Sequence, residues 1–222
     1  MISNSYKQRK YLLYKASERL KKSDLDKVFC HFGGVCPFTG EYKKNSYDHF
    51  IPLAWGTVVL KYGIGGHTYA NMIMLSLRLN ISKRSTNPFE WYRFNGKRLG
   101  IQPSKWKELV NHVARKHKMT PEEYERRVYA CHEEVKAIEW MESVNSWVRT
   151  FLKKGECPSS PYSLIRSALW DNFNIAVVVE TYGSDDAKKL LNSDEFKQII
   201  SECKAGHEPL VKLKILKKER KQ

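Results

Sequence analysis

Asp48 and His49 stand side by side in the stretch YDHFIPLAWG, residues 47–56, and the apolar run Phe50-Ile51-Pro52-Leu53 follows at once. A carboxylate is a hard oxygen donor for a divalent cation, and a neutral imidazole, with an unperturbed pKa near ~6.5, takes up protons close to neutral pH. Neighbouring residues on a strand point to opposite faces. The pair therefore suits two jobs kept apart, a cation on one side of the strand and a water to be deprotonated on the other. A histidine used as a metal ligand could not also serve as the base. Further along, Asn71 and Asn80 stand nine residues apart in NMIMLSLRLN, with Lys83 and Arg84 just beyond in ISKR. They form a second polar cluster.

In that order, CPFTG, YDHFIPLA and YANMIMLSLRLNISKRSTNPFEW resemble the HNH nucleases, whose catalytic unit is a ββα-metal fold. The likeness is greatest to the HNH nuclease domain of the RNA-guided CRISPR effectors. Those domains also carry a C-x-[YF]-[ST]-G turn, a DH pair followed by an apolar residue and Pro, and two asparagines nine apart. A Lys and a Thr/Asn-Pro-aromatic-Glu stretch follow. The resemblance covers residues 35–91, about a quarter of the chain.

Position by position, the resemblance implies that Asp48 binds a divalent ion and that His49 takes the proton from the attacking water. It implies that Asn71 holds the histidine-bearing loop by side-chain to backbone hydrogen bonds. Asn80 falls where the family uses His or Asn as the second metal ligand, which makes this an H-N-N variant. Lys83 and Arg84 are expected to meet substrate phosphates. One carboxylate and one amide oxygen leave most of an octahedral shell to water and phosphate, which favours Mg²⁺ or Mn²⁺ over Zn²⁺. Many HNH proteins also bind a structural zinc through two C-x-x-C pairs. Here Cys36 faces Thr39 at the first pair, and Ser76 and Leu79 occupy the second. No structural zinc is expected; one would have to combine Cys30, His31, Cys36 and a distant histidine.

The implied function is a metal-dependent endonuclease hydrolysing phosphodiester bonds in DNA. Such a reaction needs a nucleophile, stabilisation of charge on the transition state and help for the leaving oxygen, and a metal ion covers the last two. The rival readings are a nucleic-acid- or partner-binding protein with an inactive HNH shell, and an HNH nuclease acting on RNA or branched DNA within a larger complex. Homing, phage DNA processing, restriction and anti-phage defence all use this unit.

Elements that must position these residues are only partly legible. The fold expected is α+β and mainly helical, a small ββα-metal unit embedded between N-terminal helices and a C-terminal helical region. The divisions read as 1–32 basic helices, 33–92 the nuclease unit, 93–155 a helical region with a long helix, and 156–222 an α/β or helical region with a basic tail. Residues 5–20 predict a helix with the stripe Leu12, Leu13, Ala16 and Leu20. Ser23 is the expected cap of a second helix. VCPFTGEYKKNSYDHF reads as two short extended pieces around a Thr39-Gly40 turn, and residues 51–69 as loop. His67, in that glycine-rich loop, reads as an exposed residue able to approach substrate. Trp106, Leu109, Val110 and Val113 mark a helix, and Thr120-Pro121-Glu122-Glu123 opens a long one running to about Phe151. That long helix packs within the chain or against a partner subunit. CPSSP reads as a linker, NIAVVVETY as a strand, and Ser193 as a helix cap. The six tryptophans read as core or interface anchors.

Across its 222 residues the chain carries a formal net charge of +15 with 12% aromatic residues. A positive field of that size attracts polyanions, and DNA is the partner expected. The first residues, MISNSYKQRKYLLYKASERLKK, hold no apolar run long enough for a signal peptide, and no segment approaches the roughly 18 apolar residues of a membrane helix. Five scattered cysteines, an odd number, point to reduced thiols and a cytoplasmic setting.

Overall fold

The computed structural model describes residues 4–17, 20–42, 44–154 and 161–206. Among them the protein is mainly helical and carries a two-stranded antiparallel sheet, the α+β, mainly helical class expected. It divides into two compact units, Met1–Glu134 and Val135–Gln222. Residues 157–160 of the expected linker, with Cys157, and the basic tail 211–222 lie outside the described residues.

In the first unit, α1 (Asn4–Ala16) ends short of Leu20. Its expected stripe does not form: Leu13 is fully buried, whereas Leu12 is 46% exposed. A polar tether holds the helix instead, Arg9 Nε donating to the Ala54 carbonyl at 3.1 Å. The next helix, α2 (Lys22–Phe32), starts ahead of Ser23. Asp24 does the capping expected of that serine, its carboxylate accepting from the Lys21 backbone N–H at 3.1 Å. CPFTG is not an extended piece. Gly40 N–H donates to Cys36 O at 2.8 Å and Cys36 N–H to Glu41 O at 3.1 Å, a closed turn with no strand to offer.

The histidine strand finds its partner elsewhere. β1 (Asn45–His49) pairs with β2 (Met72–Ser76), His49 opposite Met72 and Asp48 opposite Ile73. Between them the expected loop carries a 3-10 turn at Leu53–Trp55 and a short α3 (Val58–Lys61). β2 leads directly into α4 (Leu77–Lys83), and α5 (Pro88–Asn95), α6 (Pro103–Lys116) and α7 (Pro121–Lys154) follow. Strand alternation then assigns the faces. Tyr47, His49, Met72 and Met74 share one face, where the methionines pack on Val28 of α2. Ser46, Asp48, Ile73 and Leu75 share the other.

The apolar run after His49 anchors the strand end. Phe50 and Ile51 are fully buried. The Phe50 ring sits 5.8 Å from Trp106, 6.0 Å from Phe89 in an edge-to-face pair and 6.1 Å from Tyr124. A chain whose next two residues are locked into the core cannot slip in register, so the sides on which Asp48 and His49 emerge are fixed. Five tryptophans, Trp55, Trp91, Trp106, Trp140 and Trp147, are buried as anchors, whereas Trp170 is 90% exposed.

His31 of α2 stacks on His112 of α6, ring centroids 3.7 Å apart, with Lys116 and Arg115 close by. Burial, reinforced by those cations, pushes His112 down to about 3. His31, His49, His67 and His117 are lowered as well, burial being the first cause in each. Histidines of the unfolded chain protonate near ~6.5, so below that pH the unfolded state binds more protons than the folded one. Stability is therefore present above pH ~6.5 and lost as the pH falls toward the depressed folded values. A thermal melt should show a lower Tm at pH 5 than at pH 7, with a shallower dependence in His112→Asn; equal Tm values at the two pH values would contradict it.

In the second unit, the C-terminal part of α7 buries Trp140, Met141, Val144, Trp147, Val148 and Phe151 against α8 (Pro161–Trp170), α9 (Ile175–Tyr182), α10 (Asp185–Leu191) and α11 (Asp194–Lys204). NIAVVVETY is thus a helix rather than a strand. Asn174 caps it by accepting from Val177 N–H, and Ser184 and Ser193 cap the next two helices in the same way. Each such cap contributes about 1 kcal/mol.

Candidate active site

α4 lies over the Ser46/Asp48 face of β1, and two of its side chains reach down one turn apart. Asn80 Nδ2 donates to Ser46 Oγ at 3.0 Å, and Lys83 Nζ lies 3.1 Å from Asp48 Oδ2. Ser46 and Asp48 are two residues apart on one pleat, so Asn80 and Asp48 open on the same side of the strand. With its amide nitrogen bound to Ser46, Asn80 has its carbonyl oxygen left as the atom that could ligate a cation.

Asp48 and Lys83 are both withdrawn from solvent, their side chains 14% and 2% exposed. The ion pair is close but off the hydrogen-bonding line, which leaves the buried Asp48 Oδ2 without a hydrogen bond. Burial raises the Asp48 carboxyl above its ordinary value, and the Lys83 ammonium only partly counters this. Lys83 donates instead to the His49 carbonyl at 3.0 Å and, at a longer 3.5 Å, to the Phe50 carbonyl. The phosphate contact expected of Lys83 therefore gives way to a different task. Its ammonium clamps the strand end that carries the Asp-His pair.

His49, on the opposite pleat, turns its Nε2 to Nδ1 of His67 at 3.0 Å. Burial first, then the charges of His67, Lys83 and Lys10, push His49 down to about 3, so its imidazole is neutral at any physiological pH. A neutral ring has a lone pair for a proton, but a value that low makes it a weak base, so a base role needs a partner that stabilises the imidazolium. His67 is lowered too, by burial and by Lys10. The sequence reading placed His67 as an exposed loop residue, whereas its ring is stacked on Tyr14 of α1 with centroids 4.1 Å apart.

Asn71 is fully buried and ties two loops together. Its Oδ1 accepts from Ile51 N–H at 2.8 Å, and its Nδ2 donates to Ile51 O and Gly66 O, each at 2.9 Å. Its own carbonyl accepts from Phe50 N–H at 2.8 Å. Ile51 follows the histidine by two residues and Gly66 precedes His67. One asparagine thereby fixes both histidine-bearing segments.

Asp48, His49, Asn80, Lys83 and Arg84 line one cleft of about 270 Å³. Tyr6 and Lys10 of α1 border it as well. The sequence offered a basic first helix as the only signal for them, with nothing to say which of its residues approach the site. Arg84 is exposed at the rim, its backbone at φ 49°, ψ −131°. That conformation costs a non-glycine residue about 1–3 kcal/mol, and it turns the chain sharply at the end of α4.

The donors fit a hard divalent cation. Asp48 presents a carboxylate whose charge burial disfavours and the Lys83 ammonium only partly offsets, and Asn80 adds an amide oxygen. Two oxygen donors, no thiolate and no imidazole on that face suit Mg²⁺ or Mn²⁺. No family model, no curated protein and no solved structure matches the chain.

Proposed function

We propose that the chain is a metal-dependent endonuclease of the HNH kind, with the β1–β2–α4 segment as its ββα-metal unit and DNA as its substrate. The observation that carries this reading is the shared cleft: Asp48 and Asn80 open into it from one face of β1, and His49 borders it from the other. A carboxylate-amide pair and a neutral imidazole around one small cleft are the groups that phosphodiester hydrolysis asks for.

Asp48 and Asn80 would hold the cation, which when bound neutralises charge on the phosphate and on the leaving oxygen. His49 takes the proton of the attacking water through a ring nitrogen kept neutral by burial and neighbouring cations. Lys83 holds the strand end rigid. Arg84 and Lys10, on the rim, supply positive charge for the flanking phosphates.

Supercoiled plasmid incubated with Mg²⁺ tests the reading. The wild-type protein should nick it, EDTA should stop the nicking, and His49→Ala should slow it by roughly 10²–10⁴, the usual contribution of a general base, while DNA retention stays unchanged. Equal retention with no cutting by either protein would leave a binding module with an inactive shell.

A further inference from the structure

Building on the nuclease reading, we infer that His67 is the positioning residue of the base: it fixes the ring orientation and the tautomer of His49, so that His49 meets the cleft through Nδ1.

His67 is itself firmly placed. Gly65 and Gly66 precede it with φ of 74° and 83°, a left-handed pair that turns the loop back toward the strand. At Gly65 a side chain would also meet Ile51 and Val59 at 3.1 Å. Asn71 holds the Gly66 carbonyl, Ser17 Oγ accepts from the His67 N–H at 3.1 Å, and Tyr14 covers the ring. His67 is absent from the lining of the catalytic cleft and borders a separate hollow of about 320 Å³ with Tyr14, Lys15, Ser17 and Leu20. It acts on the chemistry through His49 alone.

The hydrogen count supplies the rest. Two imidazole nitrogens that meet at 3.0 Å hold a single hydrogen between them. If that hydrogen sat on His67 Nδ1, it would occupy the His49 Nε2 lone pair, and His49 would present N–H to the cleft, which is no base. With the hydrogen on His49 Nε2, His67 Nδ1 accepts it and His49 Nδ1 keeps its lone pair. The same bond then stabilises the imidazolium formed when His49 takes the water's proton, because the acceptor is already in place. The second histidine thus does for the first what a carbonyl or carboxylate orienter does elsewhere, with no added charge.

Four variants separate this from a packing role. His67→Phe keeps a ring against Tyr14 but removes the acceptor, and should lower kcat about 10–100-fold with little change in KM. His67→Ala should do the same. His67→Asn, whose Oδ1 can take the place of Nδ1, should recover most of the loss, and His67→Gln, with its acceptor one bond further out, should not. A readout that needs no turnover is the ¹⁵N–¹H spectrum of histidine-labelled protein. His49 should appear as the Nε2–H tautomer in the wild type and as a tautomer mixture in His67→Phe, with each variant's fold checked by circular dichroism. Wild-type kcat or an unchanged His49 tautomer in His67→Phe would overturn the inference. So would a His67→Ala loss as deep as that of His49→Ala with no recovery in His67→Asn, since His67 would then be the base. An unimpaired His49→Ala would instead remove the nuclease reading, with the tautomer result standing apart from it.

Discussion

Lys83→Met should lower folding stability by about 3–5 kcal/mol, the usual result when one member of a buried ion pair is removed, and, on the nuclease reading, should abolish detectable cleavage. The ammonium is 2% exposed, lies 3.1 Å from Asp48 Oδ2 and donates to the His49 carbonyl. Methionine fills much of the same volume but leaves a buried carboxylate whose ionisation burial already disfavours, and it frees the strand end on which the Asp-His pair rides. Asp48→Asn produces the mirror defect, an ammonium in the same pocket without its counter-charge. The double variant, Asp48→Asn with Lys83→Met, removes both charges together, so its loss should fall short of the sum of the singles by at least about 1 kcal/mol. Urea denaturation of the four proteins measures that coupling. Additive losses would mean that the two side chains are neighbours without being a pair. A Lys83→Met protein with wild-type nicking would mean that the clamp on the His49 carbonyl has no bearing on turnover. A surface lysine placed to meet phosphate would behave differently, with a near-unchanged melt and weaker binding that worsens with salt. That contrast separates Lys83 from Arg84 and Lys10.

The candidate site was more legible than the scaffold that builds it. Asp48, His49, Asn71 and Asn80 could be singled out because their types and spacing are rare in combination, and the strand period alone set the first two on opposite faces. β2 could not be read from periodicity because all five of its residues are buried. With both faces covered it has no alternation, and an apolar run of that length fits a strand or a helix equally well. The strand pairing was misread for a related reason. Thr39-Gly40 is a good turn signal, but the backbone of CPFTG closes on itself, and β1 pairs with a segment more than twenty residues further on. NIAVVVETY failed in the opposite direction. Its β-branched run favours a strand, yet the Asn174 cap and the burial of Ile175, Val178 and Val179, with Val177 58% exposed, follow a helical period. Packing decided against propensity there. His67 lies eighteen residues from its partner, across a glycine turn, and no local pattern foretells a ring-to-ring hydrogen bond.

Asn71→Ala should be the most damaging single change that touches no reacting atom. It strips partners from the Ile51 N–H, the Ile51 carbonyl and the Gly66 carbonyl, all at a residue with no solvent exposure. Each unsatisfied buried group costs about 1–3 kcal/mol, so the expected loss is on the order of 4 kcal/mol, a large share of the roughly 5–15 kcal/mol that holds a domain together. On the nuclease reading, activity should fall with it, because the amide bridges the chain after His49 to the chain before His67, and loosening the bridge moves the proposed base and its orienter independently. Asn71→Asp sharpens the test. It matches asparagine in shape and keeps an acceptor for Ile51 N–H, but it turns a carboxylate oxygen toward two carbonyl oxygens. Buried charge facing like dipoles is worse than a void, so Asp should cost at least as much as Ala. Urea denaturation ranks the two, and nicking under conditions where each variant is folded reads the activity. A loss below about 1 kcal/mol in Asn71→Asp would show that side-chain shape rather than hydrogen bonding joins the loops, and the two histidines would then owe their alignment to the sheet and the Tyr14 stack alone.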